Sequence, residues 1–162
     1  MKNKNLSFMT QAAMIAAIYV VLTYIFAPFS FGEVQVRISE ALTILPIFTP
    51  AAIPGLFAGC LIGNILGGAI LPDIVFGSIA TLIGAFFTGK LREQKPVVAT
   101  FPPIISNIII VPFVLRYGYG VTLPIPFMML TVGIGEVISC TVLGLVVYGA
   151  LKKYKSTLFR TA

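Results

Sequence analysis

The sequence predicts an all-α protein with six transmembrane helices. Hydrophobic residues make up 58% of the 162 residues and charged residues only 10%, which leaves too little polar surface to cover a water-soluble globule. Long uncharged stretches follow one another along the chain, and a helix that crosses a bilayer needs about 20 such residues. The chain therefore reads as a single membrane domain, residues 1–162, with very short loops.

Charges and prolines mark where each helix begins and ends. The first apolar segment, Ser7 to Phe31, is longer than the hydrophobic part of a signal peptide, so we expect an uncleaved helix there. Pro46, Pro50 and Pro54 divide the next long stretch into two helices. A Gly- and Pro-containing segment that starts at Tyr117 predicts a loop before the last helix. The six predicted helices cover residues 7–28, 39–48, 51–67, 73–89, 97–115 and 126–152.

Lysine and arginine residues predict the orientation. Only Arg37 and Arg116 fall on the side opposite the two termini. The other nine basic residues share the side of the termini: Lys2, Lys4, Lys90, Arg92, Lys95, Lys152, Lys153, Lys155 and Arg160. Because cytoplasmic loops are enriched in Lys and Arg, both termini are predicted to be cytoplasmic. The basic residues form no patch interleaved with aromatic residues, so nucleic-acid binding is not predicted.

Small residues predict close helix packing in two places. Gly55, Gly59, Gly63 and Gly67 recur every four residues, which favours close packing against another helix of this chain. The first helix carries two overlapping pairs of small residues, which suit either a helix of this chain or a partner protein. These residues are Ala12, Ala13, Ala16 and Ala17.

The absence of several catalytic residue types and motifs from the sequence excludes most enzyme classes. Without histidine, a zinc hydrolase site of the usual kind or a Ser-His-Asp triad is impossible. The segment Gly84 to Lys90 resembles a phosphate loop, but Leu91 stands where Ser or Thr would hold magnesium. Cys60 and Cys140 lie in apolar segments and read as small core residues. We therefore expect no enzyme activity, no cofactor and no metal.

A few polar residues within the apolar segments are the candidates for ligand binding. A charge at the centre of a membrane helix costs about 2.5–3.5 kcal/mol, so Glu136 needs a partner or a binding site. Asn107 and Asn64 also fall within predicted helices. The alternative is that these groups hydrogen-bond one another and only hold the helices together.

The side of the membrane opposite the termini carries an excess of acids. Glu33, Glu40, Asp73 and Glu136 outnumber the two arginines there, which suits a cationic ligand. Two structural alternatives stay open. Arg37 and Glu40 are three residues apart and suit an exposed ion pair, and Asp73 suits a helix cap. Nearby aromatic residues, Phe76, Tyr117 and Tyr119, suit either the site or an interfacial belt.

Three segments of the sequence have a distinctive composition. The first and longest is Gly32-Glu-Val-Gln-Val-Arg-Ile-Ser-Glu-Ala-Leu-Thr-Ile-Leu-Pro46. The others are Thr49-Pro-Ala-Ala-Ile-Pro-Gly55 and Leu71-Pro-Asp-Ile-Val-Phe-Gly-Ser78. These segments resemble the QueT family, the queuosine-precursor-binding S components of energy-coupling-factor (ECF) transporters. The resemblance implies a six-helix protein of the bacterial plasma membrane that captures its ligand outside the cell. It also implies docking onto a T component driven by two cytoplasmic ATPase subunits, with the alanines of the first helix as the contact.

The family resemblance implies a deazaguanine ligand, either the aminomethyl form or queuine. A carboxylate such as Glu136 or Asp73 would accept the guanine-like N–H edge, with Asn107 completing the contacts. The predicted binding residues are Glu33, Arg37, Glu40, Asp73, Phe76, Asn107 and Glu136. Two alternatives remain, a stand-alone carrier that uses Glu136 as a proton site, and an assembly subunit that binds nothing.

Overall fold

A computed structural model describes the backbone of residues 4–30 and 36–159, and the side chains of 4–28 and 36–159. All regular elements in these ranges are helical. Five are α-helices of several turns, α1 to α5, and a 3₁₀ helix lies between α1 and α2. Two single-turn α-helices, Ala27–Ser30 and Lys155–Leu158, follow α1 and α5. Their bounds are Lys4–Ile25 for α1, Ile38–Ile47 for the 3₁₀ helix, Ala52–Leu66 for α2, Leu71–Lys90 for α3, Pro96–Gly118 for α4 and Ile125–Lys152 for α5.

Length and composition divide these helices into two groups. Helices α1, α3, α4 and α5 are long and apolar enough to cross a membrane. The 3₁₀ helix has 10 residues and α2 has 15, which correspond to lengths of about 20 and 22 Å at their usual rises. The predicted all-helical membrane protein is confirmed, and the two short helices lie where the prolines divide the second apolar stretch.

Local sequence explains the helix starts and two irregular turns. Pro72, Pro96 and Pro126 lie in the first turns of α3, α4 and α5, where proline loses no helical hydrogen bond. Pro112 lies inside α4. Two residues later a π-helical turn begins, Val114–Gly118, which forms the end of the helix. A second π-helical segment, Val137–Leu143, directly follows Glu136 in α5. Such widened turns are frequent at functional sites.

The 3₁₀ helix occupies the middle of the bundle. It contacts each of the five α-helices, while α1 packs on α2, α2 on α3, α3 on α4 and α4 on α5. Its residues from Ser39 to Pro46 are all buried. Irregular backbone at membrane depth is tolerated only where protein covers it, so the surrounding helices make this central element possible.

The glycine stripe of α2 faces α1. A Cβ atom at Gly55 would lie 2.7 Å from the carbonyl oxygen of Ala12, and one at Gly59 would lie 3.1 Å from the Cα of Ala16. The interpretation of the stripe as packing within the chain is therefore confirmed. Ala12 and Ala16 contribute to that packing, whereas Ala13 and Ala17 are exposed. The four alanines thus divide between an internal contact and an open face.

Replacing Gly59 with alanine is expected to lower the free energy of unfolding by about 1–3 kcal/mol, the usual cost of overpacking. The new Cβ would lie 2.7 Å from the Cβ of Tyr19 and 3.1 Å from backbone atoms of Ala16, none of which is the end of a flexible side chain. Unfolding in mixed detergent micelles measures the change. Gly149→Ala is the control, because a Cβ there meets nothing within 4 Å. Equal stability of the two variants would contradict the close contact.

Candidate ligand-binding site in the polar core

Five of the seven predicted binding residues lie in the polar core of the bundle. They are Arg37, Glu40, Asp73, Asn107 and Glu136, each at most 4% exposed. Phe76 is 51% exposed and borders an apolar surface groove of about 470 Å³ with Pro72 and Phe113, so the structure does not bring it to the core. The prediction for Glu33 falls outside the described residues.

Arg37 and Asp73 form a buried ion pair at one end of the core. The Arg37 guanidinium lies 3.5 Å from Asp73 Oδ2, and both side chains are at most 5% exposed. Tyr119, from the loop after α4, donates a hydrogen bond of 2.9 Å to the same oxygen. Asp73 Oδ1 is buried without a hydrogen-bond partner in the described part of the chain. Three separate segments therefore meet at one carboxylate.

Two structural alternatives for these residues are wrong. Arg37 and Glu40 are both buried, so they form no exposed ion pair. Arg37 directly precedes the 3₁₀ helix in an extended conformation, with φ −89° and ψ 98°, and its guanidinium pairs with Asp73. The carboxylate of Asp73 contacts Arg37 and Tyr119 and makes no capping hydrogen bond.

The environment of Tyr119 keeps its hydroxyl protonated. Burial, together with the neighbouring charge of Asp73, raises the pKa of Tyr119 to about 12. The tyrosine therefore remains a hydrogen-bond donor throughout the physiological range. It links the loop after α4 to the ion pair.

Gly77 provides the space beside Asp73. It lies one turn further along α3, and a Cβ there would be 3.0 Å from Asp73 Oδ1 and 3.3 Å from the amide nitrogen of Asn64. Asn64 in turn donates a 3.3 Å hydrogen bond to the backbone carbonyl of Asp73. A side chain at position 77 would crowd Asp73 Oδ1, which has no hydrogen-bond partner among the described residues.

Glu40 lies deeper, on the 3₁₀ helix, and is 0% exposed. Its Oε1 accepts hydrogen bonds from the hydroxyl of Tyr19 and, at 3.3 Å, from the hydroxyl of Thr81. Its Oε2 is buried and has no hydrogen-bond partner among the described residues. One oxygen is thus held in place by α1 and α3, and the other remains available for a ligand.

Glu136, on α5, lies next to Glu40. Asn107 hydrogen-bonds its carboxylate, and the Cys140 thiol donates to Oε2 at 3.2 Å. A carboxylate oxygen of Glu40, a carboxylate oxygen of Glu136 and the Sγ of Cys140 all lie within 4.8 Å of one another. We call these two acids and their hydrogen-bonding neighbours the Glu40–Glu136 group.

Hydrogen bonds connect this group to the Arg37–Asp73 pair. The Thr81 hydroxyl contacts the Cys60 sulfur at 3.4 Å, and the Asn64 amide contacts the same sulfur at 3.7 Å. Cys60 and Cys140 are the buried core residues that the sequence predicts, and both also take part in the polar network. Asn64 joins helices as expected, while also contacting Asp73.

Sequence reasoning missed three contributors to the core. Tyr19, Thr81 and Gly77 lie in otherwise apolar helices, and a hydroxyl or a glycine there is common. Thr81 is eight residues after Asp73 on α3, a spacing that places both on one helix face. That spacing is a signal that was available for Thr81.

Four membrane-length helices around a polar core that includes buried acids are the features of a multi-pass membrane protein. The family of QueT transporters matches residues 9–153. This chain belongs to that family, which is a family of transporters and not of enzymes.

A curated relative is similar over part of the chain. The queuosine precursor transporter QueT of Lactococcus lactis subsp. cremoris (strain MG1363) is 33% identical over 99 residues, which cover 57% of this chain and 57% of the relative. The match therefore spans little more than half of the relative's length. No solved structure matches the chain at a significant level.

Proposed function

We propose that this protein is the substrate-binding S component of an ECF-type importer and that it binds a queuosine precursor. The observation that carries the proposal is the buried polar network, in which Asp73 and Glu40 each retain one buried oxygen without a hydrogen-bond partner in the described residues. Membership of the QueT transporter family and the similarity to a queuosine precursor transporter support the same ligand class.

The carboxylate oxygens without a hydrogen-bond partner among the described residues are the ones we assign to the ligand. In our proposal Asp73 Oδ1 accepts hydrogen bonds from the guanine-like N–H edge of a deazaguanine. An analogue without those donors would leave a buried carboxylate unsatisfied, which discriminates strongly against it. Arg37 and Tyr119 hold Asp73 from two other segments and close the site when the ligand is inside.

The proposed topology has six crossings, with both termini in the cytoplasm of a bacterial plasma membrane. The 3₁₀ helix and α2 would together provide two short crossings around the prolines. This arrangement places the Arg37–Asp73 pair toward the outside, where the ligand enters. In the same topology the basic segment that contains Lys90, Arg92 and Lys95 lies in the cytoplasm, where membrane proteins are enriched in Lys and Arg.

Coupling to ATP would use partner subunits, a T component and two ATPases. Helix α1 is the least buried of the four long helices. Only 17% of its apolar 18-residue stretch is buried within the protein. Its exposed residues Ala13 and Ala17 offer a face that another helix can approach closely. We propose this face as the contact with the T component.

Reconstitution tests the proposed coupling. In liposomes, the chain together with a T component and two ATPases is expected to take up labelled 7-aminomethyl-7-deazaguanine only when ATP is present. The chain alone is expected to bind the ligand without accumulating it. Uptake by the chain alone, driven by a pH gradient, would support the stand-alone carrier instead and overturn the proposal.

A pair of substitutions separates binding from coupling. Ala13→Leu with Ala17→Leu is expected to abolish ATP-driven uptake while leaving ligand affinity within about twofold, because the added side chains block close helix approach. Ala150→Leu is the control, since Ala150 is also exposed but lies near the end of α5. Normal uptake by the double variant would show that the partner does not use this face.

A further inference from the structure

We propose that Glu40 and Glu136 together form a binding site for an organic ammonium group, so that the charge of the ligand decides its affinity. This inference rests on the proposed function and adds the substrate class to it. It starts from two acids on different helices, the 3₁₀ helix and α5. A carboxylate oxygen of one lies within 4.8 Å of a carboxylate oxygen of the other.

Charge balance is the first argument. Three buried acids, Glu40, Asp73 and Glu136, face a single buried base, Arg37, among the described residues. Arg37 lies 3.5 Å from Asp73, so the balance leaves two acids without an equal positive charge. Buried charges are tolerated when they are paired, and two carboxylates this close repel each other unless a proton or a cation lies between them.

The neighbours of the two acids supply the second argument. Tyr19 and Thr81 donate to Glu40, while Asn107 and Cys140 hydrogen-bond Glu136. All four are neutral groups. They orient the carboxylates and contribute no positive charge, so a cation that contacts both acids would be supplied by the ligand.

The free oxygen of Glu40 is the independent observation that points to a ligand. Glu40 is 0% exposed, and its Oε2 has no hydrogen-bond partner in the described part of the chain. A buried acceptor left without a partner costs about 1–3 kcal/mol. An ammonium group has three N–H donors and can satisfy this oxygen while it also contacts Glu136.

The two carboxylates and the Cys140 thiol suit an ammonium group better than they suit a divalent metal ion. The Cys140 thiol gives its hydrogen bond to Glu136 at 3.2 Å, and a thiol that donates a proton is not the thiolate that binds metals. The sequence contains no histidine to replace it. Two carboxylates and three N–H donors, in contrast, form charge-assisted hydrogen bonds with no further ligand.

Calorimetry with three ligands on the purified protein in lipid nanodiscs tests this inference. The ligands are 7-aminomethyl-7-deazaguanine, which is cationic, and two neutral compounds, 7-cyano-7-deazaguanine and 7-deazaguanine. All three share the guanine-like edge. We expect the cationic ligand to bind at least about 30-fold more tightly than either neutral one, in line with the effect of a buried charge pair.

Variants locate the effect. Glu40→Gln is expected to reduce the preference for the cationic ligand over the neutral ones to about threefold or less, because the amide removes the charge that pairs with the ammonium group. Glu136→Gln should act in the same direction and serves as the second variant if Glu40→Gln does not fold. Glu93→Gln is the control for net charge, since Glu93 is exposed in the loop between α3 and α4.

The outcomes separate this inference from the proposed function. Equal affinity for all three ligands, or an equal loss for charged and neutral ligands in Glu40→Gln, would overturn the ammonium site and leave deazaguanine binding intact. Failure of all three ligands to bind would overturn the proposed function and the inference with it. Micromolar binding of Zn²⁺ alone that disappears in Glu40→Gln would assign the two acids to a metal and overturn the ammonium site.

Discussion

Arg37→Met is expected to lower the free energy of unfolding by about 3–5 kcal/mol, the cost of leaving a buried charge without its partner. The substitution removes the guanidinium that lies 3.5 Å from Asp73 Oδ2. Methionine retains much of the length and apolar packing of the side chain, so the charge is the main change. Unfolding in mixed detergent micelles, followed by the loss of helical circular dichroism, measures the effect.

Two further variants show whether the ion pair is responsible. Arg116→Met is the matched control, because Arg116 is exposed and makes a 3.2 Å hydrogen bond to the carbonyl of Val121. We expect it to change stability by less than about 0.5 kcal/mol, as for other surface substitutions. Arg37→Met combined with Asp73→Asn removes both charges and should recover most of the lost stability. A double variant as unstable as Arg37→Met would refute the pairing argument.

Asp73→Asn is expected to weaken binding of every deazaguanine by about 30-fold or more, whether the ligand is cationic or neutral. Its carboxylate is proposed to accept the guanine-like edge that all these ligands share. An amide of the same shape provides one acceptor in place of two and no charge. Calorimetry on purified protein measures the affinity.

The pattern of loss distinguishes this carboxylate from the Glu40–Glu136 group. Asp73→Asn should weaken the binding of charged and neutral ligands alike, whereas Glu40→Gln should weaken the binding of the charged ligand the most. The double variant with Arg37→Met controls for folding, since it is expected to be stable and still to bind poorly. If Asp73→Asn kept every affinity within about twofold, Asp73 would not be the residue that recognises the base.

The fold class and part of the site can be predicted because charges are rare in an apolar chain. An acid inside a membrane helix requires a reason, so Glu136 stands out in the sequence, whereas Glu40 and Asp73 are expected near the outer ends of the helices. Helix bounds follow from prolines and charges for the same reason. The identity of the central helix as 3₁₀ could not be predicted, because its apolar sequence fits either helix type and tertiary packing decides between them.

Partners within the network depend on packing that no local pattern encodes. Tyr19 and Glu40 are 21 residues apart, and Thr81 and Glu40 are 41 apart. Their contact requires α1, α3 and the 3₁₀ helix to meet as they do. The position of Phe76 depends on packing in the same way, since Asp73 and Gly77 face inward on α3 and Phe76 faces the surface groove.

The position of Glu40 on a short central helix has a consequence for biosynthesis. A ten-residue helix is too short to enter the bilayer on its own hydrophobicity, so it must insert together with its neighbours. Tyr19 and Thr81 reach the membrane early, and they can hold one oxygen of Glu40 from then on. Glu136 arrives only after α1 to α4 have been made, so a product that is truncated before α5 lacks the pair of acids.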